Sequence, residues 1–154
     1  MTSPIPTGPR LHPTGRLIPA KLDEAMVAAV VRDFYGRVRA DDLIGPIFNR
    51  IIPEARWPHH IETITDFWSS MLLGTDRYAG RPMPKHLAIP DLADAHFARW
   101  LNLFRQTAEA HCPPEIAALF VERAERIAYS FRLRIAQFRG QDSIALQPQR
   151  AGEE

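Results

Sequence analysis

Apolar residues recur at steps of three and four through four separate stretches of this chain, and nowhere do they alternate strictly with polar ones. That period is helical, because side chains three or four positions apart share one face of an α-helix, whereas successive strand residues point to opposite sides. After Asp23 and Glu24, the spacing of Val27, Val30, Val31, Phe34, Tyr35 and Val38 predicts a helix over about 23–39. Trp57 and Pro58 open a second, proline being welcome in a first turn, and His60, Ile64, Phe67 and Met71 form its stripe until Gly74 ends it. From about Asp94, Phe97, Trp100, Leu101, Phe104 and Ala108 predict a third helix that stops before Pro113. The fourth and longest begins near Pro114 and Glu115 and stripes Ile116, Leu119, Phe120, Ile127, Phe131, Ile135 and Phe138. Arg123, Arg126, Arg132 and Arg134 fall largely between those apolar positions. With no strand pattern and no internal repeat, the fold class is all-α, and periodicity alone leaves a simple bundle and a globin-like arrangement both open.

Proline and glycine set the boundaries. ADDLIGPIFN, residues 40–49, is too broken by Gly45 and Pro46 for more than a turn or two, yet Leu43, Ile47 and Phe48 make it a buried corner. In GRPMPKHLAIP, residues 80–90, Pro84 and Pro90 confine His86 to about one and a half helical turns. Five of the fourteen prolines crowd into the first 21 residues, so that stretch is expected to stay extended and mobile, as is the polar tail over 140–154. Between them, 22–139 is the length of one ordinary domain.

Bulk properties exclude several partners. A formal charge of +1 provides no basic face for nucleic acid or an anionic membrane. The longest uninterrupted apolar run, Ala25 to Val31, falls far short of the roughly 20 residues of a membrane span. The opening residues have no continuous apolar middle, and the single Cys112 gives no sign of an oxidising compartment, so a cytoplasmic location is expected.

Familiar routes to chemistry in a helical domain are missing. No histidine has an acid three positions before it, as a carboxylate-bridged di-metal bundle requires. One cysteine and a single adjacent pair, His59 and His60, do not make a zinc site. Neither a Walker-type phosphate loop nor a G-x-S-x-G elbow occurs. What remains is a set of single residues on separate segments: Tyr35, His60, His86 and Trp100. Each alone reads as an ordinary packed side chain.

Together they sit within a longer pattern. DFYGRVRADDLIGPIFN, HHIETITDFWSSMLLGTDRYAGRPMPKHLAIP and HFARWLNLF, within residues 24 to 138, resemble the truncated haemoglobins, group III in particular. The resemblance implies a shortened globin fold in which two helix pairs sandwich haem b. It makes His86 the proximal ligand to iron, Tyr35 the distal tyrosine, His60 the distal histidine and Trp100 the distal tryptophan. His60 rather than His59 is chosen because it shares helical phase with Ile64, Phe67 and Met71. Phe48 is then the phenylalanine against the haem, and Ile64, Phe67 and Trp68 line the pocket. Arg77, Arg81 and Lys85 are cations near His86, and Lys85 is the candidate for a haem propionate.

The implied function is binding of O2, NO, CO or peroxide at a five-coordinate iron, with nitric oxide dioxygenase or peroxidase-type chemistry and a reductase partner. A haem-free, globin-like interaction module using the Pro-rich leader is the alternative, since packing alone accounts for the aromatic residues.

Overall fold

The structure, a computed structural model, describes residues 10–75, 92–141 and 146–152. His86, Lys85, Arg77 and Arg81 lie outside the described residues.

The described chain forms a short hairpin and five α-helices. Helix α1 spans Glu24–Ala40, and its start is capped by Asp23, whose carboxylate accepts from the Met26 N–H at 2.9 Å. Its buried face is Val27, Val30, Val31, Phe34, Tyr35 and Val38, as the spacing predicts. Asp41 turns the corner by accepting from the N–H groups of Leu43 and Ile44 at 3.0 and 2.9 Å. Helix α2, Gly45–Ile51, follows at once. Gly45 is required there because a Cβ would lie 2.8 Å from the Arg39 carbonyl oxygen.

A single 3-10 turn, Glu54–Arg56, feeds α3, Trp57–Leu73. Gly74, at φ +71°, ends α3 in the left-handed region. Helices α4, Asp94–His111, and α5, Pro114–Phe138, form an antiparallel pair, and α1 packs on both α3 and α4. The core runs through the junction as a column of rings: Trp68 stacks on Phe104 at 4.9 Å between centroids, and Phe104 contacts Phe34 and Phe120 at 4.9 and 6.2 Å.

The α4 and α5 seam departs from the expected stripe. On α5 the buried residues include Ala117, Ala124, Ala128 and Ala136 beside Ile116, Phe120 and Ile135, while Phe138 is 67% exposed. Buried alanines are a feature that a count of large apolar residues overlooks. Arg132, placed by pattern among the outward cations, is buried. Its guanidinium donates to Asp94 Oδ1 at 3.0 Å and to the Gln147 carbonyl at 2.9 Å.

Both flanking segments depart from the expectation of extended, mobile chain wherever they are described. Arg10–Leu11 (β1) and Leu17–Ile18 (β2) pair antiparallel around a turn at 13–15. This hairpin covers the last turn of α3, whose carbonyls lack intrahelical donors. His12 Nε2 donates to the Met71 carbonyl at 3.0 Å, its Nδ1 accepting the Thr14 N–H, and Arg16 donates to the same carbonyl at 3.1 Å. Ile18 and Leu22 are buried in the core. Pro13 occupies the turn, where no ladder donor is needed, which is why proline content did not preclude structure. At the other end, the Ala151 N–H donates to Glu125 Oε2 at 2.8 Å and Gln149 Nε2 to the Asp94 carbonyl at 3.1 Å, strapping residues 146–152 across α4 and α5.

Candidate haem-side site

Four segments deliver aromatic side chains to one place. Tyr35 comes from the buried face of α1, Phe48 from α2, Trp57 and His60 from the first turn of α3, and Trp100 from α4. Trp57 and His60 are three positions apart and so share a helix face, with ring centroids 5.4 Å apart at 90°. Tyr35 is the hub. Its ring lies 5.5 Å from His60, 5.9 Å from Trp57 and 6.2 Å from Phe48. The edge-to-face angle of 84° to His60 is a favourable meeting of ring edge and ring face.

Trp100 joins this group indirectly. Phe34 stands between the two, edge-on to Tyr35 at 5.0 Å and to Trp100 at 5.4 Å, while Trp100 stacks on Phe104 at 5.7 Å. Trp100 is half-buried. Of the doubled histidines, His59 is exposed and His60 is half-buried against Tyr35. Ile64, Phe67 and Met71 continue the His60 stripe and are also half-buried, whereas Trp68 lies on the core side of α3 against Phe104.

The polar atoms of the cluster define its chemistry. Tyr35 is 6% exposed, and its hydroxyl has no hydrogen-bond partner among the described residues. Burial pushes its ionisation well above the ordinary phenol value, so it is a neutral O–H donor at any physiological pH. The indole N–H of Trp100 is a donor only, while a neutral imidazole at His60 offers one donor and one acceptor. Among the described residues, no three His, Cys, Asp or Glu side chains converge as metal ligands. Cys112 lies apart, half-buried, and burial pushes its thiol up to about 11. It is therefore protonated and a poor nucleophile at neutral pH.

The corner that carries Phe48 is fixed to the other half of the molecule by Asp41, which accepts from Arg99 of α4 at 2.9 Å. Burial works against the Asp41 charge, but the Ile44 N–H, the Arg99 guanidinium and the Leu43 N–H outweigh it, holding the carboxyl below the usual aspartate value.

The model of the bacterial-like globin family matches residues 22–129, most of the chain. Group 3 truncated hemoglobin ctb of Campylobacter jejuni subsp. jejuni serotype O:2 is 33% identical over 121 residues, spanning 77% of this chain and 95% of that protein. The chain belongs to the bacterial-like globins, as a group III truncated haemoglobin. A crystal structure of group III truncated hemoglobin from Campylobacter jejuni matches this truncated haemoglobin with a TM-score of 0.71 at 33% identity, over 75% of this chain and 92% of that one. The shortened globin fold follows, with α1 and α3 forming one helix pair and α4 and α5 the other.

Membership implies a globin-type, haem-binding protein. The residues present fit that group: a largely buried phenol, bordered by an imidazole, sits beside a half-buried apolar stripe on α3. Two features of this truncated haemoglobin escaped the sequence pattern. Trp57 reads there only as a helix opening, although its place three residues before His60 puts both on one face. The hairpin over 10–18 lies outside the family match and has strands of two residues, too short for alternation to be visible. Among the described residues, no helix is long and apolar enough to cross a membrane.

Proposed function

We propose that this truncated haemoglobin binds haem b through His86 and receives O2, NO, CO or peroxide on the side bearing Tyr35, His60 and Trp100. In this reading residues 22–139 are the globin unit, the location is cytoplasmic, and a reductase supports nitric oxide dioxygenase or peroxidase-type turnover. The haem, when bound, supplies an iron with a position open to small diatomic ligands, and the polarity around that position decides between storage and activation. The observation carrying the proposal is the convergence of Tyr35, His60, Trp57 and Phe48 from three helices, with the Tyr35 and His60 rings edge-on at 5.5 Å and Tyr35 only 6% exposed. A phenol O–H held in such a largely dry place is a strong donor to a polar ligand atom.

The side chains divide the work. Tyr35 holds a proton on Oη, and edge contacts with Phe34 and His60 fix its ring. His60 holds a second exchangeable proton at its ring, within one ring's width of Tyr35, suited to proton delivery during peroxide cleavage. Trp100, donor only, favours ligands with partial negative charge. Phe48, Ile64 and Phe67 exclude water from the pocket, and Trp68 backs them from the core. Lys85 would meet a haem propionate, with Arg77 and Arg81 reinforcing the positive charge.

The test is a visible spectrum of the reduced, haem-reconstituted protein with and without carbon monoxide. A CO-dependent shift of the Soret band is expected, along with loss of haem from His86→Gly and its recovery when free imidazole is added. A folded chain that takes up no added haemin, or a His86→Gly variant that keeps its haem and iron ligation unaltered, would overturn the reading.

A further inference from the structure

A solvent-open cavity of about 540 Å³ lies beside the aromatic cluster, and its lining includes Gly36, Arg39, Asn49, Glu54 and Trp57. Trp57 is the notable member. Only 2% exposed, it lines the cavity and also touches both Tyr35 and His60, at 5.9 and 5.4 Å between centroids. One indole therefore lies between the cavity and the Tyr35 and His60 rings.

Arg39 holds that indole. Its guanidinium carbon lies 4.7 Å from the centroid of the Trp57 ring, a cation–π contact. The Arg39 side chain is steered by weak partners: Asn49 Oδ1 at 3.4 Å and the Glu54 carboxylate at 3.6 Å, the latter 91% exposed. Exposed pairs of this kind contribute little and rearrange readily. The clamp is a releasable one.

Gly36 gives a second and independent pointer. It sits in the interior of α1, directly after Tyr35, where glycine weakens a helix relative to alanine. Packing does not demand it, because a Cβ at Gly36 would meet nothing within 4 Å. What its missing side chain does is leave the cavity open on the flank next to Tyr35.

We propose that this cavity is the port through which small uncharged molecules reach Tyr35 and His60, with Trp57 as its gate, Arg39 as the latch on the gate and Gly36 keeping the mouth clear. The proposal rests on the haem-side reading above and deepens it by giving the ligand a route. A gas the size of CO needs only a rotation of one ring, and a gate held by a partly exposed cation with weak partners opens without disturbing the α3 backbone.

Two measurements test it. In the haem-free chain, acrylamide quenching of the fluorescence that disappears on Trp57→Phe isolates Trp57 from Trp68 and Trp100. Arg39→Met should raise the quenching constant of that component by about twofold or more, as a loosened ring meets solvent more often. In the haem-loaded chain, CO rebinding after flash photolysis should slow by about tenfold in Gly36→Met and quicken severalfold in Arg39→Met and Trp57→Ala, since gating acts on the association rate. Gly36→Gln, a polar side chain on the same exposed face, replaces Gly36→Met if the latter fails to fold. Association rates in the folded variants within about twofold of the unmodified chain, with the CO spectrum intact, would sink the port while leaving the haem-side reading standing. Absence of any CO-dependent Soret shift would sink the haem-side reading, and an unmoved quenching constant would then remove the latch as well.

Discussion

The seam between α4 and α5 and the cluster around Tyr35 are built from the same helical period, yet they treat buried atoms differently. In the seam, Leu101, Phe104, Ile116 and Phe120 are at most 1% exposed, and Ala117, Ala124 and Ala128 are buried with them. Stability there comes from contact area and dispersion, terms that reward completeness. Around Tyr35 the rings meet edge to face, and a hydroxyl, an imidazole and an indole N–H are carried into a region where apolar side chains would pack as well. The first region is filled for folding. In the proposed reading the second gives up some packing energy to keep polar donors in a drier place, where each is worth more to a ligand than it would be in water.

Substitutions separate these two uses. The largest loss of stability is expected from Phe104→Ala, which removes the ring shared by Phe34, Trp68, Trp100 and Phe120 and should cost about 3–5 kcal/mol in urea unfolding of the haem-free chain. A change within about 1 kcal/mol would mean the seam is not the structural half.

Asp41→Ala cuts the tie between the halves, removing the acceptor for Arg99 and for two backbone N–H groups, and should cost about 1–3 kcal/mol near neutral pH. The sign of its pH dependence follows from a folded-state value lying below the ordinary 3.8. The Asp41 contribution is fully present above that ordinary value, and it fades as pH falls below it and through the folded value. Unfolding free energies of the two chains should therefore converge in acid, and a gap that widens there would contradict the assignment.

Tyr35→Phe should have the smallest effect on stability and the opposite sign: within about 1 kcal/mol, neutral or stabilising, because it deletes a buried hydroxyl that has no partner among the described residues. Its effect belongs to ligand binding, where O2 should leave the haem-loaded variant about tenfold faster for loss of one hydrogen bond. If Tyr35→Phe instead destabilises the haem-free fold by several kcal/mol, the hydroxyl serves packing and the contrast between the regions fails.

Much of this was legible in the chain itself, for a reason specific to helices. Their hydrogen bonds are local, so Asp23 at one end, Gly74 at another and apolar residues at fixed steps between suffice to place α1 and α3 and the buried face of α1, whereas α3 buries Trp57, Trp68, Ser69 and Leu72 and leaves the expected stripe half-buried. Of the residues quoted for the globin resemblance, those described lie on α1, the corner after it, α3 and α4, and 76–90 lie outside the described residues. Individual residues resisted for an equally physical reason. Arg132 reads as an outward cation until Asp94 and Gln147, 38 and 15 positions away, surround it. Trp57 reads as a helix opening until Tyr35 arrives from α1 and Arg39 settles over its ring.

The sequence by itself determined where the long helices lie, the ends of α1 and α3 and the buried face of α1, because those depend on neighbours three or four residues away. Only the tertiary structure decided that His12 and Arg16 would close the end of α3, that Ala117, Ala124 and Ala128 would be buried, and that one indole would both line a solvent cavity and touch the Tyr35 ring. Each of these depends on groups distant in the chain sharing space, and spacing along the chain carries no measure of that.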